Sequence, residues 1–320
     1  MRSLVESGFN LCCSNCRMGE NRIMKIIIDT DIGGDIDDAL TLAMAVRSPE
    51  VELVGVTTVG RLPEQRAAIA RSILNVCGRK DVPVASGSNA PLTGAWREDD
   101  LPNQYGGEME PLVAVSDVRA EDMLMELVQR YPGEVTIIAI GAMTNLALAI
   151  RKFPSFKSQI KSIVLMGGAY AYHYREWNIV ADPEAAEVVF DSGIPLIASG
   201  FEVSLKCSIP AEEAARHAES NRTPSSLLIA KLIRRWQAVG IQRPIVLFDV
   251  IPLTTLIDPK LVKLEDRLVK VETAGKHTRG MTFTFETPLG ERLPDKPNVK
   301  VCVDVDEKAL MSLFMDRALR

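Results

Sequence analysis

A chain of 320 residues with 47% apolar residues is long enough to bury a sizeable core, as one large α/β domain or as two domains. Its formal net charge is −5 and only 5% of its residues are aromatic, which argues against a nucleic-acid-binding face and favours a small-molecule partner. No apolar run approaches the roughly 20 residues of a membrane span, and residues 1–24 hold no apolar segment of the length that a secretory signal needs. We therefore expect a cytoplasmic protein that binds neither nucleic acid nor a membrane.

Three of the six cysteines, Cys12, Cys13 and Cys16, lie near the start of the chain. A zinc site needs about four ligands, and no second Cys pair or His pair follows at a suitable interval. We predict that residues 1–23 form an unstructured leader with incidental thiols. Because no Ser- or Gly-rich linker, repeat or low-complexity tract divides the remainder, residues 24–320 are predicted to form a single domain.

Strand-like apolar runs alternate with helical patterns through the first 200 residues. The runs show no polar alternation, which is typical of parallel strands covered on both faces. The predicted strands are residues 26–29, 52–57, 82–85, 135–140, 163–166 and 196–199. The predicted helices are residues 37–47, 64–77, 120–131, 145–152 and 183–191. The sequence therefore predicts a doubly wound, Rossmann-like α/β fold with a mainly parallel sheet and helices on both faces.

The pattern changes after Ile209. Helices are predicted at residues 211–218, 224–239 and 252–256, shorter strands at 268–272, 281–285 and 300–303, and a closing helix at 307–319. The segment 86–115, between two predicted elements of the first half, is rich in Gly, Pro and acidic residues. Long loops of this kind are commonly functional.

Five aspartates crowd into ten residues directly after the first predicted strand: Asp29, Asp31, Asp35, Asp37 and Asp38. The first two fall at the end of the strand and the last two at the start of a helix, on either side of a glycine turn. Carboxylates so close together repel one another, and a hard divalent cation, calcium or magnesium, relieves the repulsion. Helix capping alone would explain only two of the five.

Polar or glycine-rich residues also follow the other predicted strands. They are Thr57, Thr58, Gly60, residues 141–145, residues 166–168, residues 176–178 and residues 182–186. Each group taken alone could merely cap a helix or permit a tight turn. Ligands of open α/β sheets bind outside the carboxyl ends of the strands, however, so the shared edge predicts a polar pocket.

These segments resemble the inosine-uridine-preferring nucleoside hydrolase family. The resemblance is carried by residues 29–39, 56–59, 141–146, 166–169 and 176–186, and it covers about residues 24–318 in order. It implies the Rossmann-like fold of that family and a calcium-dependent N-ribohydrolase, which cleaves a nucleoside into ribose and a free base. It also implies a homodimer or homotetramer.

The resemblance further implies which residues form the site. Four would bind Ca²⁺: Asp31, Asp38, Thr144 through its backbone carbonyl, and Asp249. Four would bind the sugar: Asp37, Met166, Glu176 and Asn178. Asp31 would also accept a proton from the attacking water. The chemistry agrees with this set, because cleavage of an N-ribosidic bond develops positive charge on the sugar, which nearby carboxylates stabilise, and because calcium would anchor the diol and acidify the water.

Three features depart from the family's pattern. The aspartate motif is two residues longer than the common form, which leaves Asp35 as an alternative to Asp37 for the ribose contact. Arg61 stands where the family usually has an asparagine, after the glycine that follows the second strand. Phe248 stands where a histidine commonly precedes the late aspartate and protonates the leaving base.

We hypothesise that His173 supplies the missing proton, because imidazole side chains titrate near neutral pH. It lies in the segment 170–175, which leads into Glu176, and the alternatives are that Tyr172 or Tyr174 acts on the base or that His173 is a surface residue. Two other functions stay open from the sequence. One is a nucleoside- or ribose-binding homologue with little turnover; the other is a different metal-dependent hydrolase, such as a phosphatase that uses Asp29 and Asp31.

Overall fold

The computed structural model describes residues 23–106, 109, 118–285 and 295–320. The predicted leader up to residue 22, with its three cysteines, lies outside the described residues, as does most of the predicted loop beyond residue 106. No helix within the described ranges is long and apolar enough to cross a membrane.

The described residues form twelve strands: β1 (Met24–Thr30), β2 (Val51–Thr58), β3 (Val84–Ser86), β4 (Val135–Ala139), β5 (Ser162–Met166), β6 (Leu196–Ser199), β7 (Ser208–Ile209), β8 (Ile245–Val246), β9 (Val262–Arg267), β10 (Val269–Val271), β11 (Thr282–Thr284) and β12 (Val299–Val305). Eight of them form one sheet in the order β3-β2-β1-β4-β5-β6-β12-β9. All neighbours in this sheet are parallel except β12 and β9. The predicted, mainly parallel sheet is confirmed.

The same residues form twelve α-helices: α1 (Asp37–Val46), α2 (Pro63–Val76), α3 (Ala120–Arg130), α4 (Thr144–Lys152), α5 (Phe156–Gln159), α6 (Trp177–Ala181), α7 (Pro183–Phe190), α8 (Phe201–Ser204), α9 (Ala211–Asn221), α10 (Pro224–Ala238), α11 (Val250–Ile257) and α12 (Glu307–Arg317). The longer predicted helices are confirmed, with boundaries that differ by a few residues at most. Three short helices, α5, α6 and α8, were not predicted, because four or five residues are too few to show a helical period.

Both faces of the sheet are covered, as alternate residues of β1 demonstrate. Ile26 and Ile28 belong to a core shared with α1, α2 and the helices α9 to α12, whereas Ile27 belongs to a second core shared with α3, α4, α5 and α7. All three side chains are fully buried. An apolar run without polar alternation is therefore what this central strand requires.

The three strands predicted near the C-terminus correspond to β10, β11 and β12, but one further strand was not predicted. Residues 262–267 form the antiparallel edge strand β9. The sequence did not indicate this strand, because most of its residues are charged and none is fully buried. The predicted strand at 268–272 is the short β10, which pairs with β11 in a separate antiparallel sheet. A further two-stranded sheet joins β7 to β8.

The strand order changes direction between β1 and β4, since the chain proceeds from β1 outward to β3 and then continues from β4 on the other side. Such a switch point leaves a crevice beyond the carboxyl ends of the two strands. Gly141, just after β4, permits a close approach there, because a Cβ at this position would lie 2.7 Å from the backbone nitrogen of Asp31. Gly33 turns the aspartate segment with a φ of +112°.

Candidate active site

A cavity of about 560 Å³ opens at this crevice. Its walls come from the aspartate segment after β1, from Ile140 after β4, from Met166 at the end of β5, and from the segments 174–178 and 243–249. A pocket with polar walls therefore exists at the predicted edge of the sheet. Of the residues predicted to form it, Met166 and residues 176–178 line the cavity, whereas Thr57, Thr58, Gly60 and residues 141–145, 167–168 and 182–186 do not.

Three buried carboxylates meet at one side of the cavity: those of Asp37, Asp38 and Asp249. One oxygen of each lies within 4.8 Å of the others. The Asp37 carboxylate accepts a hydrogen bond of 3.1 Å from the backbone nitrogen of Asp249, and the Asp38 carboxylate accepts one from the hydroxyl of Thr30. The first bond fixes the start of α1 against the start of α11, and the second fixes it against the end of β1.

Burial raises the pKa of all three carboxyl groups well above the ordinary value, and the neighbouring carboxylates raise it further. Buried charges of one sign are stable only when they are paired or coordinate a cation. Three carboxylates without a soft nitrogen or sulfur ligand are a donor set for a hard divalent cation. The site therefore fits the metal that the resemblance implies.

Asp31 lines the same cavity but lies outside this group of three. Desolvation raises the pKa of its carboxyl group to about 7, against the lowering effect of Arg66, and Asp100 raises it further. The guanidinium of Arg66 donates to the backbone carbonyls of Asp31 and Ile32, the latter at 3.3 Å. Arg66 therefore fixes the backbone on which Asp31 stands.

Asp29 does not reach the cavity. It is fully buried, and one of its carboxylate oxygens accepts hydrogen bonds from the hydroxyl of Thr57 and from Nδ2 of Asn145, the latter at 2.7 Å. Burial raises its pKa to about 7. Asp29 thus joins β1, β2 and α4 beneath the site, whereas a phosphatase that used Asp29 and Asp31 together would need both in the cavity.

Thr144 is buried at the start of α4, where its hydroxyl donates to Asp182 at 2.6 Å. It is not among the residues that line the cavity. Its carbonyl as a metal ligand stays a prediction.

The three residues predicted for the sugar beyond Asp37 lie together on the cavity wall. The Glu176 carboxylate caps α6 and accepts bonds from the backbone nitrogens of Gly168 and Asn178, both at 2.9 Å. Nδ2 of Asn178 donates to the carbonyl of Met166 at 3.2 Å. Burial raises the pKa of Glu176 to about 7. These contacts give the wall a fixed geometry.

His173 is exposed and does not line the cavity. Tyr174 does line it, and its ring stacks on Phe201 with centroids 4.1 Å apart. Phe201 in turn stacks on Phe248, at 5.8 Å. Phe248, which stands where the resemblance implies a histidine, is therefore part of an aromatic wall.

Several cavity residues were not predicted. Asp99, Asp100 and Asn103 come from the acidic loop 86–115. The composition of this loop indicated a functional segment, but it did not indicate which of its residues line the cavity. Phe201 and Arg243 carry no such signal, because Phe201 begins a helix of only four residues and Arg243 lies in an irregular segment, and neither gives a sequence pattern. Arg61 lies outside the cavity lining, and its carbonyl accepts from Arg66 at 2.9 Å.

The family profile of inosine-uridine preferring nucleoside hydrolases matches residues 26–312. The chain belongs to the inosine-uridine preferring nucleoside hydrolase family. This nucleoside hydrolase is 33% identical over 317 residues to the pyrimidine-specific ribonucleoside hydrolase RihA of Shigella boydii serotype 4, an alignment that covers 92% of this chain and 98% of RihA. RihA of Escherichia coli O17:K52:H18 gives the same identity and coverage.

Solved structures agree with the family assignment. The plant nucleoside hydrolase PpNRh1 matches this nucleoside hydrolase with a TM-score of 0.80 and 28% identity, over 92% of this chain and 99% of that one. The purine-preferring ribonucleoside hydrolase from Gardnerella vaginalis matches with a TM-score of 0.78 and 29% identity, over 92% and 98%. The resemblance, the fold and the enzyme class expected from the sequence are confirmed: the protein is a nucleoside N-ribohydrolase.

Proposed function

We propose that this nucleoside hydrolase is calcium-dependent and that it converts a nucleoside and water into ribose and a free base. The observation that carries the proposal is the group of three buried carboxylates, Asp37, Asp38 and Asp249, on the wall of a cavity large enough for a nucleoside. In the proposed site, two of these carboxylates, Asp38 and Asp249, would hold the ion together with Asp31, which lines the same cavity, and the carbonyl of Thr144, while Asp37 is left for the sugar. Bound Ca²⁺ would anchor the sugar diol and lower the pKa of a water molecule.

The protein's own residues then have defined tasks. Asp31 accepts the proton of the attacking water at its carboxylate, which requires only that the two lie within hydrogen-bonding distance. Asp37 holds a ribose hydroxyl; Asp35 is the weaker alternative, because its carboxylate is engaged by Arg243. The carboxylates around the sugar stabilise the positive charge that develops at C1′.

The remaining sugar contacts come from the rigid wall. Glu176 and Asn178 bind the other hydroxyls, and Met166 lies close to the ring. We retain His173 as the proposed proton donor to the base; since its side chain is exposed outside the cavity, the segment 170–175 would have to close over the substrate. A cytoplasmic homodimer or homotetramer also belongs to the proposal.

The proposal is tested by incubating the enzyme with a panel of purine and pyrimidine nucleosides and measuring free ribose. The enzyme is first depleted of metal with a chelator and then supplied with Ca²⁺ or with Mg²⁺. Release of ribose that Ca²⁺ restores and Mg²⁺ does not supports the proposal. Release that is indifferent to the chelator contradicts calcium dependence, and no release from any nucleoside would favour a binding protein with little turnover.

A further inference from the structure

The departing base needs a partner inside the cavity, and His173, the candidate from the sequence, is exposed outside the cavity. When the C1′–N bond breaks, its electron pair goes to the base, which becomes an anion unless a proton or a cation meets it. Phe248 can provide neither. Phe248 stacks on Phe201, Phe201 stacks on Tyr174, and all three line the cavity, so this wall is aromatic and suits contact with a planar heterocycle.

Arg243 lies on the same chain segment as Phe248 and lines the same cavity. Among the described residues that line it, Arg243 is the only cation, and the other charged lining residues are all acidic. A guanidinium carries its charge at any pH at which the protein is folded and presents several N–H donors in one plane. Arg243 can therefore place a positive charge beside the departing base without transferring a proton.

The structure also holds this guanidinium in place from two sides. Its Nη2 pairs with the carboxylate of Asp35, and its central carbon lies 5.4 Å from the ring centre of the buried Trp236. Asp35, the partner of Arg243, lies in the lengthened part of the aspartate motif, where the sequence departs from the spacing that the resemblance implies. The pair connects the segment after β1 with the segment before α11.

We infer that Arg243 is a catalytic residue that stabilises the negative charge on the leaving base, and that Asp35 is its positioning residue. The inference rests on the proposed function. Water forms the new C1′–O bond and gives its proton to Asp31, while the electron pair of the C1′–N bond stays on the base beside Arg243. As this charge develops, His173 delivers one proton to the base, and Asp31 then returns its proton through solvent to His173, so that nucleoside and water balance ribose and base.

The inference specifies a class of base. The charge on a departing uracil or hypoxanthine anion spreads to a ring carbonyl oxygen, which accepts guanidinium N–H bonds. Adenine has an amino group in place of that carbonyl. Nucleosides of oxo-bases should therefore gain more from Arg243 than adenosine does.

The test compares two leaving groups in Arg243→Gln. We expect kcat on uridine and inosine to fall about 100-fold or more, as when one donor to a developing anion is removed. In contrast, kcat on p-nitrophenyl riboside should fall by no more than about threefold, because its leaving group departs as an anion that is stable without assistance. The control is Arg216→Gln, which removes an exposed arginine that pairs with Glu212 on α9, and which should change neither rate.

Asp35→Asn tests the positioning role through the ratio of kcat on uridine to kcat on p-nitrophenyl riboside. It should lower the rate on uridine about 10-fold relative to p-nitrophenyl riboside, a change in selectivity that a mere loss of stability would not produce. If Arg243→Gln does not fold, Arg243→Met decides by the same comparison, because methionine keeps an unbranched side chain but removes the charge and the N–H donors.

Equal losses on both leaving groups, or no loss on either, would overturn the role of Arg243. Failure of the proposed function is distinguishable, because it would appear in the unmodified enzyme as an absence of ribose release from every nucleoside. Thermal unfolding of each variant confirms that the compared rates belong to folded protein.

Discussion

The fully buried guanidinium of Arg66 forms an ion pair of 2.6 Å with the carboxylate of Asp100. Arg66 lies on α2 and Asp100 in the acidic loop, and the same guanidinium donates to backbone carbonyls of the aspartate segment. Asn103 strengthens this connection, since its Nδ2 donates to the carbonyl of Gly34 at 3.3 Å. One side chain thus holds the acidic loop against the segment that carries Asp31.

We predict that Arg66→Met lowers the free energy of unfolding by about 3 kcal/mol, because it leaves the Asp100 carboxylate and several backbone carbonyls without their donor. Urea denaturation at neutral pH measures the change. The matched control is Arg130→Met, which breaks an exposed pair with Glu126 and should cost less than about 1 kcal/mol. Equal losses in the two variants would show that the buried pair contributes no more than a surface one.

Asp38→Ala and Asp249→Ala should each abolish tight calcium binding and turnover. A cage of oxygen ligands that loses one anionic member loses much of its attraction for a hard cation. Isothermal titration calorimetry with Ca²⁺ measures the affinity, and free ribose measures turnover. Asp266→Ala is the control, because its carboxylate is exposed and pairs only with Lys300 among the contacts described. Unchanged calcium affinity in both site variants would refute the metal assignment.

Deletion of residues 1–23 should leave stability and activity nearly intact. The first strand begins at Met24, and the side chain of Ile23, just before it, is 54% exposed, so Ile23 contributes little to the packing of the domain. Thermal unfolding and ribose release of the shortened chain provide the check. A large fall in melting temperature would show instead that the leader packs against the domain.

His173→Ala should reduce turnover of natural nucleosides by about 100-fold, within the range for general acid catalysis, and should spare p-nitrophenyl riboside, whose leaving group needs no proton. His217→Ala is the matched control, since His217 lies on α9 and does not line the cavity. Steady-state kinetics on both substrates measure the effect. Equal losses, or none, would reject the role of His173 and direct attention to Tyr174, which does line the cavity.

Most of the fold could be predicted because its signals are local. β1 and β4 are runs of buried apolar residues, and α1 and α3 show helical patterns of adequate length. β9 could not be recognised: it is an edge strand whose charged residues are half in solvent, and its existence depends on pairing with β12, more than 30 residues later. Strand pairing at that distance has no local pattern in the sequence.

The site residues also fall into those that the local sequence predicted and those that only the fold reveals. Asp31, Asp37 and Asp38 were predicted because they stand together in one dense motif at a strand end. Arg243 was not, because it reaches the cavity only through the fold, more than 200 residues from its partner Asp35. The segment with His173 shows the converse, since closeness in sequence to Glu176 did not bring the imidazole into the cavity.

The measurement that bears most directly on the central claim is the release of free ribose from uridine and inosine by chelator-treated enzyme, titrated with Ca²⁺. The account predicts almost no release without the ion, recovery that follows the calcium-binding curve measured by calorimetry, and no recovery in Asp249→Ala at the same concentrations. Full release from the chelator-treated enzyme, or equal recovery in Asp249→Ala, would contradict it.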